Sequence, residues 1–275
     1  METAQLGRRV AIGAGWMMSW RMLARLSGLI STLVLARLLV PADFGLVALA
    51  AGFAAGFDAL SEIGVQDALI RHPTRDRDLY NTAFALQALR ATVTAAGLAL
   101  AAPLAASWFG EPRLLPVLLV LAAVAFLAGL DNIATVEFRR EFDYRLHVLL
   151  LAAPRLLSLV VVIPLAFATH SYWALIAGTA IARLGQVALG YALHPWRPSP
   201  SLARWRELLG FSLWSWAAAL ANAAWTRSDP FVLGAALGAG PLGLYMLARV
   251  VVATALVNAA LWRREPRGDE ITRPG

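Results

Sequence analysis

Eight long apolar runs, cut by short polar punctuation, constrain this chain more than any other feature. They lie near residues 12–37, 45–69, 80–106, 114–136, 146–168, 172–193, 208–236 and 241–262. A helix that crosses a bilayer needs ~20 mostly apolar residues, since hydrocarbon offers no partner to a bare backbone. Each run is long enough. With 59% hydrophobic residues, 15% charged residues and a mean hydropathy of +0.64, the chain is not composed like a water-soluble domain. The expected fold class is an all-α polytopic membrane protein of about eight transmembrane helices. The first run is too long for a signal peptide and no small-residue cleavage site follows it, so it should stay as a helix.

Charge gives the orientation. The formal net charge is +7, and all 24 basic residues are Arg. The loops alternate: Arg8, Arg9, Arg71, Arg75, Arg77, Arg139, Arg140, Arg145, Arg197, Arg204, Arg206, Arg263, Arg264, Arg267 and Arg273 fall on one side, and only Arg113 on the other. This positive-inside pattern predicts that both termini are cytoplasmic. The same spread, with no compact basic patch, argues against a nucleic-acid partner. No cysteine is present, which excludes disulfides and thiolate metal sites.

The remaining arginines lie within or at the edges of the spans: Arg21, Arg25, Arg37, Arg90, Arg155, Arg183, Arg227 and Arg249. Arg37, Arg183 and Arg249 are expected to snorkel to an interface. Arg21, Arg25 and Arg90 are harder to dismiss, because an arginine at the centre of a membrane helix costs roughly 2.5–3.5 kcal/mol. Arg21, Arg25, Gly28, Thr32 and Ala36 recur at helical spacing as one polar-and-small stripe on the first helix. Such a stripe either pairs with acids of the second helix or forms the cationic wall of a cavity. In the latter case guanidinium forks match phosphate or pyrophosphate oxygens.

Two further constellations stand out. Asp58 and Glu62 are four residues apart on one helical face, which suits either a proton- or sodium-coupling site or ion pairs with Arg25 or Arg90. In the seventh run Ser212, Ser215, Asn222, Thr226 and Asp229 form a polar seam. The seam should face the protein interior, for sugar contacts or for hydrogen bonds between helices. Trp214, Trp216 and Trp225 could stack on sugars or belong to an interfacial belt. Gly52 and Gly56 make a small-xxx-small packing step.

An internal repeat organises the chain. Residues 34–50, VLARLLVPADFGLVALA, align without gaps to residues 232–248, VLGAALGAGPLGLYMLA, and share the glycine after the turn as Gly45 and Gly243. The even number of spans between the copies preserves orientation, as in transporters built from two parallel halves. The expected domains are a six-helix lobe over residues 1–207, a partial second lobe over 208–262 and a polar cytoplasmic tail over 263–275. Arg21 and Arg25 correspond to Ala219 and Ala223 in the second copy, so the cationic wall belongs to the first lobe alone. There is no metal-spaced His/Cys/carboxylate cluster, P-loop or Ser-His-Asp set, and the arginine-poor loops are very short. An enzyme is therefore not expected, and neither catalytic residues nor cofactors are assigned.

The run LARLLVPADFGLVALA at 35–50 resembles the opening signature of oligosaccharide (O-antigen and exopolysaccharide) flippases of the MOP/MATE-like superfamily. GVQDALIRH at 64–72, Trp108-Phe109-Gly110-Glu111-Pro112, VEFRREFDYR at 136–145, Ser171-Tyr172-Trp173-Ala174-Leu175 and the stretch 211–248 carry the likeness further. The resemblance implies movement of a polyprenyl-diphosphate-linked oligosaccharide across the inner membrane by alternating access, for lipopolysaccharide or exopolysaccharide synthesis. Arg25, Gly28, Ala36 and Arg37 match helix-1 positions of related lipid II flippases. Where those proteins carry an Arg-Asp pair, this chain has Ser31-Thr32. The substrate-binding set expected on these grounds is Arg21, Arg25, Thr32, Arg90, Asn222, Thr226 and Asp229, with Asp58 and Glu62 for coupling. The expected partners are the lipid-linked oligosaccharide and membrane lipids. Because the family resembles assemblies of 12 to 14 helices, a second chain completing the C-terminal lobe is a further expectation. The alternatives are a MATE-like drug or cation exporter and a truncated, non-transporting membrane subunit.

Overall fold

A proline ends the first helix and opens the second. α1 (Glu2–Leu38) stops just before the Val40-Pro41 step, where proline bars its predecessor from the helical region. Pro41 then begins α2 (Pro41–Ser61), harmless at a first helical position, with Asp43 in the first turn where the helix dipole favours an anion. The structure, a computed structural model, describes residues 2–61, 64–72 and 76–209, Ala221, and scattered positions between 232 and 252.

The described elements continue as α3 (Val65–Arg71), α4 (Arg77–Trp108), α5 (Leu114–Ala128), a single 3-10 turn (Ile133–Thr135), α6 (Val136–Arg140), α7 (Tyr144–Thr169), α8 (Trp173–Leu193) and α9 (Trp205–Leu209). Every regular element among the described residues is helical, and the chain is an all-α polytopic membrane protein. α2, α4, α7 and α8 are each long and apolar enough to span a bilayer, and α5 joins them if its bent continuation counts as one span. Exposed leucines and valines such as Leu100, Leu104 and Val160 face outward, as lipid contact requires. The last two expected spans fall largely outside the described residues.

Two expected spans are not continuous helices. The run 45–69 divides at Gly64, which takes a left-handed conformation (φ 60°) and starts α3 afresh. The run 114–136 breaks after Ala128, and the pieces meet at 68°. Two buried amides hold the second break. Gln87 Nε2 donates to the carbonyls of Gly129 (3.3 Å) and Asp131 (3.1 Å). Asn132 Nδ2 reaches the carbonyls of Gly190 (3.2 Å), His194 (3.3 Å) and Trp196 (3.4 Å). Gln87 thus satisfies carbonyls that a continuous helix would have used internally, and Asn132 ties the break to the end of α8.

Packing follows chain order in two groups. α1 lies against α7, and α7 forms a hairpin with α8; α2 lies against α4 and α5, which form a second hairpin; α5 on α8 joins the groups. A Cβ on Gly178 would collide with Val162, so glycine there sets the close approach of α8 to α7. Pro154 and Pro164 remain inside α7, as the sequence predicts. The main core mixes Leu46, Leu49, Leu98, Val117, Leu118 and Ile176. Leu242, from the second repeat copy, is fully buried in the same core. A Cβ on Gly243 would strike the Pro41 carbonyl and lie 3.0 Å from the Gly45 nitrogen. The two copies of the repeat therefore touch at equivalent glycines.

The arginine-rich end is tied down separately. Leu208 of α9 is buried with Val65, Leu69, Tyr80 and Ile133. Arg140 donates to the carbonyls of Leu69 (3.2 Å) and His72 (2.8 Å), and Arg204 pairs with Asp76 (2.8 Å) and Glu207 (2.6 Å). Residues 194–204 thus run as a strap across that end.

Candidate functional site

Three helices of the first group leave a groove of mixed polarity between them. It has a volume of about 340 Å³ and is lined by Ser27, Ser31 and Thr32 of α1, Arg155 and Ser158 of α7, and Thr179 of α8. Apolar and small residues complete it, including Gly28, Val162 and Gly178. Some of its donors are already engaged. Arg155 Nη2 donates to the Ala24 carbonyl at 3.3 Å, Ser27 Oγ donates to the same carbonyl at 3.1 Å, and Ser158 Oγ donates to Gly178 O at 2.8 Å. A single carbonyl bond leaves most of the guanidinium donors of Arg155 uncommitted, since the group offers five. Arg155 has no carboxylate partner among the described residues.

The stripe read on α1 leads into this groove. Gly28 and Thr32 line it, and Arg25 and Arg21 continue the same helical face toward the arginine-rich end. Both arginines are exposed, and neither has a carboxylate partner among the described residues. Sequence reasoning assigned Arg21, Arg25 and Thr32 and passed over Arg155. Its signal was present: a lone charge at the middle of the run LHVLLLAAPRLLSLVVVIPLAFA. Its position against α1, however, comes only from tertiary packing.

The other assigned residues lie elsewhere. Arg90 of α4 bonds Asp58 of α2 at 2.7 Å, with the Ser61 and Thr94 hydroxyls 2.6 Å apart one turn along. The expected binding residue and the expected coupling residue are thus each other's partners. Glu62, Asn222, Thr226 and Asp229 lie outside the described residues, as do Ser212, Ser215 and the tryptophans of the seventh run.

Arg183, expected to snorkel, has a carboxylate partner: Nη1 bonds Asp131 Oδ2 at 3.0 Å and Gln186 Oε1 at 3.5 Å. The ion pair fixes α8 to the break between α5 and α6. At the arginine-poor end, Arg113 bonds both oxygens of Glu111 (2.8 and 3.0 Å) and Asp43 (3.2 Å), and lies 5.8 Å from the Tyr172 ring centroid. The Arg113 guanidinium holds the Glu111 carboxyl below the usual carboxylate range. This clasp joins the start of α2 to the α4–α5 and α7–α8 turns.

Residues 34–261 match the family described as polysaccharide biosynthesis protein. The chain belongs to that family. The match takes in both copies of the repeat and every described helix from α2 to α9. No curated protein and no solved structure matches the chain. A membrane protein of polysaccharide biosynthesis, all-helical where described, with a hydroxyl-lined arginine groove, is the frame for its function.

Proposed function

We propose that this protein is a flippase that moves a polyprenyl-diphosphate-linked oligosaccharide across the inner membrane, by alternating access between two helical lobes. The groove between α1, α7 and α8 carries this reading. Its arginine has uncommitted donors, hydroxyls surround it, and two further arginines without carboxylate partners among the described residues extend along α1. Arginines left facing hydrocarbon would each cost roughly 2.5–3.5 kcal/mol, so that face of α1 addresses a polar space or an anion. A diphosphate fits the donor set, because forked guanidinium groups bind phosphate oxygens bidentately. Arg155, Arg25 and Arg21 would hold the diphosphate, and the hydroxyls of Ser31 and Thr32 would contact the first sugar. In this reading eight helices contribute to the two lobes, the repeat contact at Gly45 and Gly243 marks where the lobes meet, and both termini are cytoplasmic.

A cation exporter of the MATE type requires a carboxylate open to the substrate. Asp58 and Asp131 are both bonded to arginine, which favours the anionic substrate. In cells that depend on this chain for surface polysaccharide, Arg25→Ala or Arg155→Gln should abolish export while the protein still inserts in the membrane. Unchanged export from both variants would overturn the assignment of the groove.

A further inference from the structure

We infer that Asp131 is a proton-binding site, reached from the arginine-rich end through its own small cavity, and that it couples proton movement to the conformational cycle. This inference rests on the transport reading above and gives it an ion. Asp131 stands in the break between α5 and α6, where Gln87 and Asn132 hold the backbone on both sides of its side chain. One carboxylate oxygen, Oδ2, accepts from Arg183. The other, Oδ1, is buried and has no hydrogen-bond partner among the described residues.

A buried oxygen in that state is costly, because its solvation has been given up and nothing has replaced it. A proton is the smallest species that removes the cost. Asp131 also lines a cavity of about 100 Å³, with Gln66 of α3, Arg139 of α6, His147 of α7 and Gln186 of α8. That space has room for a few waters, and its polar walls can hydrate a proton path. Arg139 and His147 lie beside the arginine-rich loops, which places its mouth at that end of the bundle.

The charged and titratable groups around Asp131 come from every packed element. They are Arg183 and Tyr191 of α8 and Arg90 of α4, with Arg139 of α6 and His147 of α7 across the cavity. The step is a simple one: a hydronium ion gives its proton to Oδ1, one O–H bond of hydronium breaks as the carboxyl O–H forms, and a neutral carboxyl and a water molecule result. Its consequence is electrostatic. Arg183 loses its counter-ion, and with it the ion pair that fixes α8 to the α5–α6 break. α8 is also a wall of the substrate groove through Gly178 and Thr179. Protonation at Asp131 therefore loosens one wall of the groove.

The test needs no substrate. Dicyclohexylcarbodiimide reacts with protonated carboxyls in apolar surroundings, so the full chain in detergent or lipid is treated with it over a pH series and the adducts are located by mass spectrometry. Asp131 should be modified increasingly as pH falls, and Arg183→Gln should move the half-point to higher pH by removing the cation that favours the carboxylate. Absence of an Asp131 adduct at every pH, or a yield independent of pH, would overturn the inference. Protection by sodium at constant pH would also overturn it, because the open oxygen would then be a metal ligand. Labelling reports on the proton alone, so its failure leaves the transport reading intact. Loss of export without loss of pH-dependent labelling in Arg155→Gln separates the two in the other direction.

Discussion

Two populations of arginine stand on the long helices of this bundle, and they differ in what neutralises them. Arg90 and Arg183 each meet a carboxylate from another helix, at 2.7 and 3.0 Å. Arg21, Arg25 and Arg155 have no carboxylate partner among the described residues, and the two on α1 stand on an exposed face beside a hydroxyl-lined groove. The paired group joins α2 to α4 and α8 to the α5–α6 break, so its charges are used up in holding the fold. The second group, with no such partner among the described residues, has charge available to an anion in the groove. Hydropathy alone treats all five alike, yet the second group can recognise an anion without first losing an ion pair.

The first way to break this comparison is to remove a paired arginine. Arg183→Gln leaves the Asp131 carboxylate largely buried without its cation, and should destabilise the protein by about 2–3 kcal/mol, a partly exposed pair falling below the fully buried range. The double variant Asp131→Asn with Arg183→Gln should recover at least half of that loss, since an uncompensated charge is worse than none. Denaturant unfolding of the detergent-solubilised chain measures both. Equal destabilisation by the single and double variants would show that the pair is not the source of the effect.

Exposure should grade the paired group. The Asp58 side chain is 56% exposed, so Asp58→Asn should cost under about 1 kcal/mol in the same unfolding assay. A loss as large as that of Arg183→Gln would place Asp58 in a drier setting than its geometry indicates. Smaller still is the pH response of the clasp at the arginine-poor end. Glu111 is held below the ordinary carboxylate range by Arg113, so the stabilisation it gives is complete above the ordinary glutamate value and declines as pH falls through the lowered one. Glu111→Gln should flatten that acid limb slightly. An unaltered limb would mean that the clasp contributes nothing measurable.

Much of the fold was legible because its main signal is local. Apolar length alone marks α4, α7 and α8 to within a few residues, and the Pro-Ala-Asp-Phe-Gly turn marks the start of α2. The breaks at Gly64 and at residues 129–132 were not legible. A few polar residues barely dent the average over a long apolar run, and the buried amides that make the second break affordable come from Gln87 and from Asn132 reaching α8. Pairing was half legible. Asp58 with Arg90 was one of two outcomes the spacing allowed, whereas the bond between Asp131 and Arg183 joins residues 52 apart and needs the bend. The same limit explains Arg155. Its charge is plain in the sequence, but its position opposite Ser31 and Thr32 depends on α7 crossing α1.

The most direct test of the division is binding of a short-chain prenyl diphosphate to the solubilised chain, compared across Arg155→Gln, Arg90→Gln and the unaltered protein. Loss of charged hydrogen bonds to a phosphate is worth about 1.5–3 kcal/mol, so Arg155→Gln should weaken binding more than tenfold. Its unfolding stability should change little, and Arg90→Gln should leave affinity within a few-fold of the unaltered value. Equal loss of affinity in both variants, or none in Arg155→Gln, would contradict the account.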